Sequence, residues 1–279
     1  MKLIYVLLAL VALLLASLLI LRLLDWRADQ SEWQKLTSLQ PANPEQYDPS
    51  MVANLPEPAR RFFNFSIAPG TPLYTVAEID MGGQFSLGSL EKPDYQAMQA
   101  YQVLAAPHGF VWRLKLPGLV PVSGSDSARW TRFRILGFIP VARMGGESDH
   151  SRSAYGRYVA EAVFWTPAAI LPRAGVTWEE IDENTARVTM THEKISQAVD
   201  VTVNAEGQPV EVSFKRWSNA NPEKIHRLQS FGGYLSDFRI VQGFKLPFSI
   251  EAGNMFGTNE YFPFYKAKVS SIRFPGADR

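Results

Sequence analysis

Residues 3–21 are apolar at every position except Ser17, and no polar face breaks the run. At about 1.5 Å of rise per helical residue the run reaches roughly 28 Å, close to the ~30 Å hydrocarbon layer of a bilayer. It continues through Arg22 to Leu23 and Leu24, with Trp26 where a membrane interface would lie. A secretory leader has an apolar core of about 7–15 residues followed by a small-residue cleavage site. This core is longer, and Leu23, Leu24, Asp25, Trp26 and Arg27 offer no such site. The pattern predicts a retained transmembrane anchor over residues 1–24. Trp33, Leu36 and Leu39 carry helical spacing outward from it, and a short helix is predicted from Pro56 to Phe65 with Phe62, Phe63 and Phe65 on its apolar side. Residues 25–66 thus read as a helical stalk packed on the main domain.

From Leu73 the hydrophobic period changes to two. In Arg129-Trp130-Thr131-Arg132-Phe133-Arg134-Ile135 large polar and apolar residues alternate, as on a sheet with unlike faces. Strands are predicted at 73–81, 84–89, 95–105, 109–116, 128–136 and 138–143. A second series follows at 176–181, 185–192, 195–204, 209–217, 234–241, 244–252, 259–262 and 264–274. Between the two series a helix is predicted over 151–165, with Ser148 or Asp149 capping it and Pro167 stopping it. Tyr155, Tyr158, Val159, Ala162 and Val163 make its apolar stripe. Helices are too few to supply a crossover per strand, which excludes a parallel α/β sheet. The expected fold is α+β and mainly antiparallel: a strongly curved, half-barrel-like sheet over residues 67–279, covered by a few helices including one inserted at about 149–165, plus the one N-terminal transmembrane helix.

Composition narrows the function classes. The 279 residues carry 28 basic and 27 acidic side chains, so nothing favours nucleic acid as a partner. The absence of cysteine excludes disulfides, thiol catalysis and cysteine zinc sites. Lys2 and the amino terminus favour a cytoplasmic N-terminus with an exported main domain, although Arg22, Arg27 and Lys35 on the other side weaken the charge rule.

Candidate chemistry is sparse. Ser148, Asp149, His150 and Ser151 are hydrolase residue types, but sequence neighbours seldom converge and no Gly-x-Ser-x-Gly elbow accompanies them. His108, His150, His192 and His226 lack the spacing of a ligand set, so no metal and no cofactor is expected. Arg157 and Glu161 stand four apart on the predicted inserted helix, in surroundings apolar enough to turn them toward the sheet. Arg134, Arg143, Arg216 and Glu251 are candidate strand partners for a structural network or a polar cavity end. The pairing is read first as a structural device that holds the helix in register, with the polar end of a cavity as the alternative.

The stretch from Phe133 to Pro172, FRILGFIPVARMGGESDHSRSAYGRYVAEAVFWTPAAILP, with Trp178-Glu179-Glu180-Ile181-Asp182 after it, resembles a family of bacterial membrane-anchored proteins known only as a domain of unknown function. Phe231-Gly232-Gly233-Tyr234, Gly243-Phe244-Lys245-Leu246-Pro247 and Phe262-Pro263-Phe264-Tyr265 resemble it too. The resemblance spans roughly residues 60–275 and implies no catalytic residue. In architecture the expected meander is similar to the periplasmic lipoprotein-carrier half-barrel, an analogy of fold alone. The resulting expectation is a non-enzymatic, membrane-anchored, exported envelope protein that binds a lipid or other apolar small molecule on its sheet. The alternatives are an envelope hydrolase or a scaffold that binds a partner protein.

Overall fold

The computed structural model describes residues 1–277. Helix α1 (Lys2–Thr37) is continuous, so the apolar run and the stalk's first half form one rod. Among the described residues it is the one helix long and apolar enough to cross a membrane. The charge distribution leaves the orientation of its termini open. Helix α2 (Glu57–Ser66) buries Phe62 and Phe63. Helix α3 (Ser148–Trp165) begins with Glu147 at its N-cap and no capping side chain, so neither Ser148 nor Asp149 takes that place.

The strands fall in two series. The first comprises β1 (Ala77–Ser86), β2 (Tyr95–Ala105), β3 (Gly109–Leu116), β4 (Val122–Ser127), β5 (Trp130–Ile135) and β6 (Ile139–Gly145). The second comprises β7 (Val176–Glu180), β8 (Thr185–His192), β9 (Ile195–Val203), β10 (Pro209–Ser218), β11 (Arg227–Val241), β12 (Phe244–Asn254) and β13 (Phe262–Arg273). All are antiparallel neighbours in one sheet of order β6-β5-β4-β3-β2-β1-β13-β12-β11-β10-β9-β8-β7. That order corrects the expected strongly curved half-barrel. The sheet is open and is not curled into a barrel wall, with β6 and β7 as separate edges. Residue alternation reports which face a side chain takes, whereas closure requires register and edge pairing that alternation does not encode.

The two faces are covered differently. On one, Phe110, Trp112 and Leu114 of β3 join Met98, Ala100 and Leu104 of β2 in the main core. Helix α3 packs there against β9 and β10 and reaches β2, β3 and β12. Gly156 permits that approach: a Cβ on it would stand 2.8 Å from Gln197 Oε1 and 3.2 Å from Phe214.

The opposite face receives the outer half of α1. Leu36 is fully buried against Val76, Val103, Ala105 and Val111. Trp33 Nε1 donates to Glu78 at 2.8 Å while Arg113 lies over the indole, and Ser125 Oγ donates to Asp29 at 2.8 Å. The rod and the sheet are therefore joined through a second, smaller core. Leu36→Ala is expected to destabilise this docking by roughly 3 kcal/mol, through lost transfer energy and the cavity left behind. Urea unfolding of the full chain in detergent, followed by tryptophan fluorescence, measures it.

Candidate functional site

Between α3 and the sheet lies a cavity of about 590 Å³. Its walls are mostly apolar: Trp112, Leu114, Phe133, Phe164, Phe214 and Phe264 among others. Strand alternation explains the lining, because the residues that face α3 are the inward half of each strand. On the inward phase of β2, Gln102 is polar and fully buried.

The cavity's polar end is built around Arg157. Its Nε donates to Glu161 at 2.7 Å, Nη1 donates to Asp126 at 2.7 Å and Nη2 donates to Gln102 at 3.3 Å. Gln102 in turn donates to the other oxygen of Glu161, and Thr131 Oγ1 donates to the other oxygen of Asp126. The guanidinium also lies over the Phe110 and Trp112 rings. Burial alone would lower the pKa of Arg157, but the Glu161 and Asp126 carboxylates outweigh it and the pKa is raised. Tyr265, whose hydroxyl faces Met81 Sδ at 2.8 Å, is pushed above its ordinary pKa by burial and then by Glu161. Both carboxylates thus have each oxygen engaged.

Arg216 lines the same cavity under different terms. It lies half-buried, with its guanidinium over Phe231, and its Nε is buried with no hydrogen-bond partner. Burial pushes its pKa down to about 10, helped by the positive charge of Arg157, so it stays charged at neutral pH. Trp112 Nε1 and Trp165 Nε1, on two further lining residues, are likewise buried donors without a partner. A buried donor left unpaired costs about 1–3 kcal/mol, so these groups favour an acceptor-bearing guest.

The other sequence candidates lie elsewhere. Arg134 and Arg143 join Arg132 on the opposite face, all three paired with the buried carboxylate of Asp25. Glu251 faces Lys266 at 3.5 Å in a partly exposed cross-strand pair. So the candidate set divides into Arg157, Glu161 and Arg216 at the cavity, Arg134 and Arg143 beside α1, and Glu251 apart from both.

Sequence reasoning missed Asp126, Gln102 and Asp25. Gln102 had a visible signal, a polar residue on the apolar phase of an alternating strand. Asp126 had none, because Val122-Ser123-Gly124-Ser125-Asp126-Ser127 is too polar to read as a strand.

The hydrolase residue types do not converge on a nucleophile. Asp149 accepts from Trp217 Nε1 at 2.8 Å and sits 3.4 Å from His226 Nδ1. His150 Nε2 lies 3.2 Å from Thr131 Oγ1, whose proton is directed at Asp126, so the hydroxyl is not activated by the imidazole. His108 and His192, distant in sequence, bring their rings to 5.2 Å, and no group of three metal-ligating side chains forms among the described residues.

Residues 45–267 match the model of a family of unknown function, DUF6544. Comparison with curated proteins gave no match. Two solved structures are similar at low identity. A LolA superfamily protein from Nitrosomonas europaea is 11% identical over 78% of this chain and 91% of its own, with a TM-score of 0.40. A putative outer membrane lipoprotein-sorting protein domain from Vibrio parahaemolyticus is 10% identical over 82% of this chain and 92% of its own, with a TM-score of 0.35. At these values neither likeness bears on function.

Proposed function

The chain belongs to DUF6544, a family of unknown function, and from that premise we propose that it is a membrane-tethered protein that binds an amphiphile between α3 and the open sheet. The observation that carries this reading is the cavity of about 590 Å³, walled by aromatic and aliphatic side chains and bearing the Arg216 guanidinium, whose buried Nε has no hydrogen-bond partner. Such a volume falls within the ~300–1,000 Å³ usual for small-molecule sites, and apolar walls with few polar groups are their ordinary lining. The apolar body of the guest occupies the aromatic walls. Its oxygen-rich head reaches Arg216, because each nitrogen of Arg157 is already engaged, by Glu161, Asp126 and Gln102. Helix α1 holds the site at a membrane, with the sheet domain on the exported side. Residues 1–24 form the anchor, 25–66 the connecting stalk and 67–279 the binding domain.

The test compares the full chain with a variant whose cavity is filled, Ala160→Phe together with Leu114→Phe. Both proteins are extracted from membranes in the same mild detergent, and bound lipids are quantified by mass spectrometry. Wild type is expected to retain an amphiphile near one per chain that the filled variant lacks. Equal lipid content in two folded proteins defeats the reading. Arg216→Leu is expected to retain the same class of guest while weakening a ligand with a charged head by roughly tenfold or more, the worth of one charged hydrogen bond.

A further inference from the structure

The end of the sheet that carries the β3–β4 and β5–β6 turns has a composition unlike the rest of the surface. Residues 116–122 and 135–142 contain no charged side chain. Leu119 is fully exposed, Val120 is 57% exposed and Leu136 is 47% exposed. The two turns are neighbours, since Leu136 N donates to Pro121 O at 2.9 Å. They also stand beside the apolar run of α1: a Cβ on Gly137 would lie 3.1 Å from Arg22 Nη1.

Just behind the turns is a cluster of arginines. Arg132, Arg134 and Arg143 share the single carboxylate of Asp25, the residue that follows the apolar run. Arg134 is 8% exposed, and its Nε and Nη2 make no hydrogen bond although Nη2 is in ion-pair contact with Asp25. Burial, then the charges of Arg143 and Arg22, push the Arg134 pKa down, which shows how crowded with positive charge this corner is. Uncharged aliphatic tips backed by excess guanidinium are complementary to a bilayer, whose phosphates lie at the surface and whose acyl chains lie one layer deeper.

We infer that the β3–β4 and β5–β6 turns seat in the interfacial layer of the same bilayer that α1 crosses, with Leu119, Val120 and Leu136 among the acyl chains and the Arg132, Arg134 and Arg143 cluster at the phosphates. This rests on the reading of α1 as a membrane span. The geometry commits the occupant to lipid rather than to a protein, because the docking of α1 on β1–β5 holds these turns level with Arg22, inside the helix's last apolar turns. The consequence for ligand binding is direct. Leu116, Val122, Ile135 and Val141 line the cavity and belong to the same end of the sheet. An amphiphile leaving the leaflet there meets apolar wall before it meets water.

The chain has no cysteine, so single labelling sites can be introduced without background. Leu119→Cys carries an environment-sensitive nitrobenzoxadiazole label on the full chain, reconstituted in nanodiscs containing anionic phospholipid. Glu206→Cys, in the exposed β9–β10 turn at the opposite end of the sheet, and Leu13→Cys, inside α1, carry the same label in separate preparations. The Leu119 label is expected to emit blue-shifted and to be quenched by lipids bearing a shallow spin label. The Glu206 label stays unquenched, and the Leu13 label responds to deep quenchers. A Leu119 label that behaves like Glu206 while Leu13 remains in lipid overturns this inference and leaves the span intact. A Leu13 label in water overturns both.

Discussion

Asp25→Ala is expected to destabilise the protein by about 3–5 kcal/mol, the cost of removing one partner from a buried ion cluster. Asp25 is 4% exposed and receives Arg143 at 2.7 Å and Arg132 at 3.0 Å, with Arg134 also in direct contact. Without it three guanidinium groups face one another in a partly desolvated corner, where Asp29 offsets only part of the charge, through Arg132, and arginine itself stays protonated. Arg143 is 42% exposed and can swing to water, so the lower part of that range is the better expectation in high salt. Thermal unfolding of the full chain in detergent at two salt concentrations measures the effect. Asp25→Asn should fall nearly as far as alanine, because it keeps the shape but loses the charge. A loss under 1 kcal/mol in both variants would show that the cluster is solvated and does not hold α1 to the sheet.

Arg157→Met is expected to cost a comparable amount, for the opposite electrostatic reason. Asp126 and Glu161, with side chains 19% and 14% exposed, would then share the cavity end with only the Arg216 charge, outside ion-pair distance of either, to offset them. Their pKa values should rise as the folded state resists two unpaired carboxylates. A raised folded pKa means that the native state binds protons more tightly than the unfolded chain. Stability in the variant is therefore greatest at acidic pH and is lost as pH rises through the raised values. Wild type, with Arg157 in place, is the reference for that profile. Adding Glu161→Gln and Asp126→Asn to Arg157→Met should restore much of the stability and flatten the pH dependence. Denaturant midpoints between pH 5 and pH 8 follow both effects, and a pH-independent Arg157→Met would mean that the carboxylates reach water.

The parts of the fold that were legible in the chain are those with a strong local period. The apolar helix, α2, α3 and most strands follow from spacings of 3.6 or 2, and their mostly short turns imply antiparallel neighbours. β4 escaped because its outward positions are serines: Ser125 bonds both Asp29 and Trp130, and Ser127 bonds the backbone around residue 129. Those residues are polar because a helix far away in sequence covers them. The first half of β11 escaped because Gly232-Gly233 resembles a breaker. At Gly233 a Cβ would meet Glu251 O at 2.0 Å, so the glycine serves close strand approach. At the site, the i, i+4 pair of Arg157 and Glu161 could be read from a helix, whereas Asp126 and Gln102 complete it only through strands.

What the chain specifies without coordinates is local: a rod long and greasy enough for a bilayer, and alternating strands that must share one buried face. Both follow from the repeat of the backbone itself. What required three dimensions is everything set by the meeting of distant segments. The sheet stays open because β6 and β7 never pair, and an alternating pattern reads the same in an open sheet as in a curled one. The six candidate polar residues divide because Arg157 and Glu161 ride on α3, Arg216 faces them from β10, and Arg134, Arg143 and Glu251 take the other face of the sheet; only packing chooses which carboxylate waits there. Arg216 is left unpaired for the same reason: the two nearest acids are already held by Arg157, a competition decided by distance in space.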